Sequence, residues 1–310
     1  MFAPWVGGNS SDSITLRHLR VVGVAVAAAL VWPGGFPLQA VGGRAAAQFT
    51  SSVSLVEVYA SVVDSAGQPV RGLTAEDFEI LEDGKPQKIA AFTAGDFPLT
   101  AALALDRSFS MAGPPLATVK SAARAFLSAL RPADEAVVIA IGSQVTVLAH
   151  ARTSRPEQLA AVGALSAWGT TALHDAIIAA IETVDGSRGR RALVILSDGD
   201  DRYSEASAAD AIARARRSNV MVYPVALGKV RPPLFAELAT LTGGRSFHAR
   251  ERQGLDQTLT TIAAQLREQY LIGYSPSRPP VSGSNEWRSI AVRVKKPGLS
   301  VRARDGYYIP

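Results

Sequence analysis

The sequence predicts an α/β fold: a doubly wound, mostly parallel sheet wrapped by helices, with a small flanking β module. Three observations predict it. Between residues 98 and 269, apolar β-branched runs alternate with alanine-rich segments of helical spacing, the pattern of strands joined by crossover helices. On either side, residues 48–97 and 270–310 show only β-like runs and turn residues. Of 310 residues, 47% are hydrophobic and 19% charged, a globular composition with room for one large domain and one small one.

The first 47 residues are set aside as a leader. Arg17, His18 and Arg20 precede the apolar run from Val21 to Trp32, and Ala45-Ala46-Ala47 forms a small-residue cleavage site before Gln48. The run is shorter than the roughly 20 residues a membrane span needs. Cleavage would leave no membrane span and an extracytoplasmic, periplasmic or secreted protein; the competing reading is an uncleaved anchor. Loss of Arg17, Arg20, Arg44 and Asp12 lowers the net charge from +5 to +3, too small and scattered an excess to indicate nucleic acid. The clusters Arg188, Arg190, Arg191 and Arg214, Arg216, Arg217 read as solvated helix ends and loop edges. The chain has no cysteine, which excludes disulfides and thiolate metal sites.

The elements then follow in order. "VSLVEVYASVV" alternates as a half-buried strand does, and "FEILEDGKPQKIAAF" reads as two strands around an Asp-Gly turn. Leu99 to Leu105 is a buried strand, followed by the helix "LATVKSAARAFLSAL" with Pro114 and Pro115 before its start. "AVVIAIG" and "QVTVLAH" form a hairpin; "RPEQLAAVGAL" and "TALHDAIIAAIETV" are helices. "RALVILSDG" suits a central strand covered on both faces. A helix over 204–218, the strand "VMVYPVAL", a helix over 233–242, the strand "RSFHA" and a helix over 254–269 complete the α/β part. "YLIGYSP", "WRSIAVRVKK" and "LSVRARDGYYI" return to β texture and are expected to pack with the N-terminal β segment.

In an open α/β sheet, ligands bind beyond the carboxyl ends of the strands. Asp106 stands at one such end and Asp198 at another, and Thr170 and Thr171 open a helix near the same edge. Asp106, Ser108 and Ser110 are spaced so that an extended, solvent-facing loop would point all three the same way. Hydroxyls, one or two aspartates and water form an all-oxygen set of the kind Mg²⁺ takes; Ca²⁺ or Mn²⁺ also fit, whereas zinc would want His or Cys. Two acids at most balance a divalent cation and leave it electrophilic. A partner's Asp or Glu would then replace a metal-bound water, and the ion would bridge two proteins.

"LALDRSFSM", "WGTTALHDAI" and "LVILSDGDDRYS" resemble the three motif segments of the von Willebrand factor type A domain. The metal-ion-dependent adhesion site of that family uses Asp-x-Ser-x-Ser, a Thr and an Asp. The resemblance implies metal ligands at Asp106, Ser108, Ser110, Thr171 and Asp198, the last two directly or through water, with Thr170 as the threonine offset by one. It also implies an adhesion or assembly module rather than an enzyme. "VSLVEVYASVVDSAGQPVRGLTAEDFEILEDGKPQKIAAF" and "QYLIGYSPS … WRSIAVRVKKPGLSVRARDGYYIP" are similar to the flanks of secreted bacterial relatives, so the resemblance runs from Ser52 to Pro310. Phe109 departs from the family's usual glycine and His174 from its usual tyrosine.

The residues admit two other functions. A phosphohydrolase of the haloacid dehalogenase type would use Asp106 as nucleophile, but it needs a general acid two residues later, and that position is Ser108. The other is a structural scaffold with an unoccupied site. His174 and His248 read as isolated helix and strand residues, and Asp175 as a helix-start acid. Asp200 and Asp201 are expected to begin the next helix or steer solvent, with Asp201 able to bond a metal-bound water. Trp168 and Tyr203 flank the presumed metal face, and "LTGGRSF" is a helix stop rather than a phosphate loop.

Overall fold

The computed structural model describes residues 55–309 except 96, 250–253, 280 and 282. The leader reading over residues 1–47 lies outside the described residues. Contacts divide the chain into Met1–Thr50 and Ser51–Pro310, and the description concerns the second unit.

The described elements begin with β1 (Val56–Val63), β2 (Phe78–Glu82), β3 (Lys85–Gln87) and β4 (Ile89–Ala94). Then come β5 (Leu99–Asp106), α1 (Pro114–Ala129), β6 (Glu135–Ile141), β7 (Val145–Ala149), α2 (Arg155–Ala164), α3 (Leu173–Asp185) and β8 (Arg190–Ser197). These are followed by α4 (Ala208–Arg216), β9 (Val220–Leu227), α5 (Pro233–Thr242), β10 (Phe247–Ala249) and α6 (Leu255–Arg267). The last strands are β11 (Gln269–Tyr274), β12 (Trp287–Val294), β13 (Ser300–Arg302) and β14 (Gly306–Tyr308).

Six strands form the central sheet in the order β10-β9-β8-β5-β6-β7, parallel except for β7. Every residue of β5 is buried, because both its faces are covered. The strand period of two divides it: Ala101, Leu103 and Leu105 face a core shared with Phe126 of α1 and Ile262 of α6. Ala102 and Ala104 face Ile177 of α3 and Phe235 of α5. From β5 the chain winds first toward β6 and later toward β8 on its other side. The carboxyl end of β5 is therefore the topological switch point, where the loops after β5 and β8 diverge and leave a crevice.

The remaining strands make two four-stranded antiparallel sheets, β13-β1-β11-β4 and β14-β12-β2-β3. They share one core, in which Val58, Ile272 and Tyr270 of the first meet Phe78, Ile80 and Ile290 of the second. Inside it lies a polar cluster. Fully buried Arg288 donates to Glu82 Oε1 at 3.3 Å, and Tyr274 and Tyr307 donate to Glu82 Oε2 at 2.8 and 2.9 Å. Gly244 lets the α5–β10 turn press onto the sheet, since a Cβ there would lie 2.0 Å from the Val222 carbonyl oxygen.

Several elements differ from the sequence reading. The strand expected after Asp83-Gly84 divides into β3 and β4, and that over 299–309 into β13 and β14; in each case the chain crosses from one antiparallel sheet to the other. Pro114 and Pro115 are the first residues of α1 rather than its prelude, because the first helical turn needs no intrahelical N–H donor. α4 is confined to Ala208–Arg216, since the residues before Ser207 are tied down as a loop. Arg190 is not solvated: it is fully buried, its Nη2 donates to the Phe97 carbonyl at 2.6 Å, and its guanidinium lies 5.3 Å from the Phe97 ring centroid. No described helix is long and apolar enough to cross a membrane.

Candidate metal centre

Asp106 is the last residue of β5, and it is fully buried rather than solvent-facing. Its Oδ1 accepts the Ser108 N–H at 2.9 Å and its Oδ2 the Ser197 hydroxyl at 2.6 Å. Burial pushes the Asp106 carboxyl up; the bonds from Ser108 and Ser197 oppose that rise and the nearby Asp198 charge adds to it.

The next residues are not extended. Ser108 precedes a single 3₁₀ turn, Phe109–Met111, which folds the chain back and sets the Ser108 and Ser110 hydroxyls 3.0 Å apart. Alternation along a strand would point them the same way at greater separation, so the turn and not the spacing brings them together. From the neighbouring strand, Asp198 accepts the Ser110 hydroxyl on Oδ2 at 2.7 Å and its own loop's Asp200 N–H on Oδ1 at 3.2 Å.

The third segment is laced to the first by backbone bonds. Trp168 N–H donates to the Arg107 carbonyl at 2.7 Å and Phe109 N–H to that of Gly169 at 2.9 Å, while Ala172 N–H ties the same segment to the Gly142 carbonyl, just after β6, at 3.0 Å. Gly169 has φ +73, and a Cβ there would meet Ser143 Oγ at 2.6 Å, so the crossing requires glycine. Thr171 is buried in the loop before α3, whose first residue is Leu173. Its carbonyl accepts the Arg202 and Tyr203 N–H groups at 2.9 and 3.0 Å. Thr170 is exposed and turned to Ser143, whose hydroxyl accepts the Thr170 N–H at 2.9 Å.

Hydrogen bonds thus join Asp106, Ser108, Ser110 and Asp198 into one cluster. Thr171 sits on the adjoining loop without a hydrogen bond to those four. Among the described residues, no three of His, Cys, Asp and Glu converge as a metal cluster, so any ion here would depend on hydroxyls.

Asp201 does not begin a helix but lies in the loop before α4. Its Oδ1 accepts the Leu173 N–H at 2.7 Å and the Ser204 hydroxyl at 2.6 Å, serving the start of α3 that Ala172 cannot cap. Asp175 answers from the first turn of α3 by accepting the Glu205 and Ala206 N–H groups at 3.0 and 2.9 Å. His174 Nδ1 and His248 Nε2 lie 3.1 and 2.8 Å from the carbonyls of Ala206 and Gly228. Ser197 is the residue the sequence reading passed over. Its trace is a hydroxyl closing the apolar run of β8, directly before Asp198.

The family model of the von Willebrand factor type A domain matches residues 102–261, a span that contains all five candidate ligands. No curated protein matches the chain. A von Willebrand factor type A structure from Catenulispora acidiphila is similar with a TM-score of 0.50 at 16% identity, over 75% of this chain and 72% of that one. Proximal thread matrix protein 1 from the mussel byssus gives 0.51 at 14% identity, over 60% of this chain and 51% of that one. Another structure of the mussel protein, described as having a zinc-occupied metal-ion-dependent adhesion motif, gives 0.47 at 13% identity over 60% and 49%. At such identities the likeness to the first two speaks for the fold. Since the family model accounts for half of its length, the chain belongs to the von Willebrand factor type A domain family.

Proposed function

We propose that the protein is an extracytoplasmic binding module in which a divalent cation, Mg²⁺ first, joins Asp106, Ser108, Ser110, Thr171 and Asp198 to a carboxylate of a partner protein. Domains of this family typically bind proteins and are usually non-catalytic. The observation that carries the metal reading is the spacing of the oxygens. Around an octahedral Mg²⁺ with ligands at about 2.1 Å, adjacent oxygens are about 3.0 Å apart. The Ser108–Ser110 and Ser110–Asp198 oxygen pairs stand at 3.0 and 2.7 Å. The hydrogen bonds between these groups are the contacts a cation would replace.

Charge supports the partner. Asp106 and Asp198 at most balance a divalent ion, so an incoming carboxylate can ligate it without meeting an excess of negative charge from these two ligands. The surroundings support it as well, because Phe109, Trp168 and Tyr203 are exposed at 65%, 41% and 61% on the three loops that carry the cluster. Exposed aromatics around a polar centre suit a protein interface. An extracytoplasmic setting rests on the leader pattern.

The test is a pull-down from envelope extract with wild type and Asp198→Asn, each with Mg²⁺ and with EDTA. A partner retained only by wild type in Mg²⁺ supports the reading. Retention that ignores both EDTA and the substitution contradicts it.

A further inference from the structure

The candidate metal centre continues sideways into a groove of about 360 Å³. Two of the candidate ligands, Ser110 and Asp198, line it together with Pro115, Leu227, Lys229 and Ala249. Sheet register gives its direction. β8, β9 and β10 are parallel neighbours in which Ser197 pairs with Ala226 and Leu227 with Ala249, so Asp198, Leu227 and Ala249 stand side by side at three successive strand ends. At about 4.8 Å per strand, the groove runs about 10 Å from Asp198 toward Ala249, away from β5. An extended segment advances about 3.3 Å per residue, so three residues span it.

Its walls are apolar and reachable, since Pro115, Leu227 and Ala249 are each only half-buried. Lys229 is exposed, and the loop that carries it is fixed. Gly228 N–H donates to the Ala249 carbonyl at 3.3 Å, and the Gly228 carbonyl lies 2.8 Å from His248 Nε2. Pro232 presses on the turn after Asp198, where a Cβ on Gly199 would lie 2.0 Å from the proline Cγ. Among the described residues Lys229 has no ion pair or hydrogen bond, and Asp198 is the only acid lining the groove. With Asp198 engaged by an ion, the charge left in the groove is that of Lys229. A carboxylate on the ion would leave the apolar walls wet. An apolar side chain beside it would remove that water, and a second acid would answer Lys229.

We propose, on the metal reading above, that the partner presents an extended segment of three parts to this face. An acid binds the ion, a bulky apolar side chain two residues on sits between Pro115, Leu227 and Ala249, and an acid directly after it pairs with Lys229. Alternation along an extended chain points the first two into the face and leaves the third at its rim. Surface plasmon resonance of the full chain over tethered peptides GDGLEG and GDGSEG, in Mg²⁺ and in EDTA, tests it, with thermal melts in the same buffers. Wild type is expected to bind GDGLEG in Mg²⁺ alone and GDGSEG about tenfold more weakly. Lys229→Glu is expected to melt as wild type does and to bind GDGLEG severalfold more weakly, a deficit that shrinks as NaCl is raised. Equal binding on the two peptides, or by Lys229→Glu and wild type, would overturn the proposal and leave the cation centre standing. So would a protein whose midpoint Mg²⁺ raises but which binds neither peptide, or binds them equally well in EDTA. If Mg²⁺ changes neither midpoint nor binding, the metal reading fails and takes this proposal with it.

Discussion

The Ser197 hydroxyl donates to Asp106 Oδ2 across the β5–β8 pair at 2.6 Å, so the first candidate ligand is held by the strand that carries the last. Ser197 also accepts the Gly199 N–H at 3.0 Å, which fixes the turn on which Asp198 sits. The cluster is thereby tied to the end of the sheet.

Asp106 consequently has a structural role besides its proposed ligation. Asp106→Ala leaves the Ser108 N–H and the Ser197 hydroxyl without their acceptor in a buried place, with an expected loss of about 1–3 kcal/mol measured in EDTA. Asp106→Asn keeps an acceptor oxygen and is expected to lose less. Urea denaturation of the three proteins decides this; an unchanged midpoint for the alanine variant would mean that water reaches the site.

The antiparallel sheets depend on Glu82. Glu82→Ala leaves fully buried Arg288 with only the half-buried Glu286, 3.6 Å away, as a countercharge and removes the acceptor of two tyrosine hydroxyls, with an expected loss of about 3–5 kcal/mol. A loss below about 1 kcal/mol would show that Glu286 and the carbonyls of Arg278 and Pro279, 2.7 and 3.2 Å from the Arg288 guanidinium nitrogens, suffice.

The same cluster sets an alkaline limit. Burial, then the bond to Glu82, pushes the Tyr307 hydroxyl from 10.0 up to about 12. Because the folded value is the higher, its stabilising contribution is complete below pH 10 and is lost as the pH rises through about 12. Denaturation midpoints of wild type should fall more steeply across that window than those of Tyr307→Phe. Parallel curves would remove Tyr307 as the cause.

Much of this was legible in the sequence because it rests on periodicity. The buried run Leu99 to Leu105 and the run ending at Asp198 announce parallel strands, and polar residues at their ends announce a site at the sheet edge. What was not legible depends on contacts between distant residues. The hydrogen bond that holds buried Asp106 comes from Ser197, 91 positions away, and the convergence of Ser108 and Ser110 from a 3₁₀ turn that a two-residue spacing cannot distinguish from a strand. Asp201 carries the composition of a solvent-facing acid, yet it caps α3 from a loop 28 positions further along. In sequence Arg190 is one of a charged trio, and only the fold brings the Phe97 carbonyl and ring, 93 positions away, beside it.

Phe109 offers a separate reading of the face. The side chain is 65% exposed while its N–H anchors the loop to Gly169, so Phe109→Ala keeps the backbone bond and removes only exposed apolar surface. Stability is expected to change by less than about 0.5 kcal/mol. Binding of the partner retained in Mg²⁺ is expected to weaken about tenfold or more, as measured by surface plasmon resonance. Undiminished binding would place the partner's footprint elsewhere.

The most direct test is thermal unfolding with increasing Mg²⁺, followed by EDTA, for wild type and Asp198→Asn. Ligand linkage predicts a saturable rise in the wild-type midpoint, worth about 2.7 kcal/mol at a hundred times the dissociation constant and reversed by EDTA. The rise should be largely lost in Asp198→Asn. Melting curves that ignore Mg²⁺ in both proteins would contradict a cation held by Asp106, Ser108, Ser110, Thr171 and Asp198.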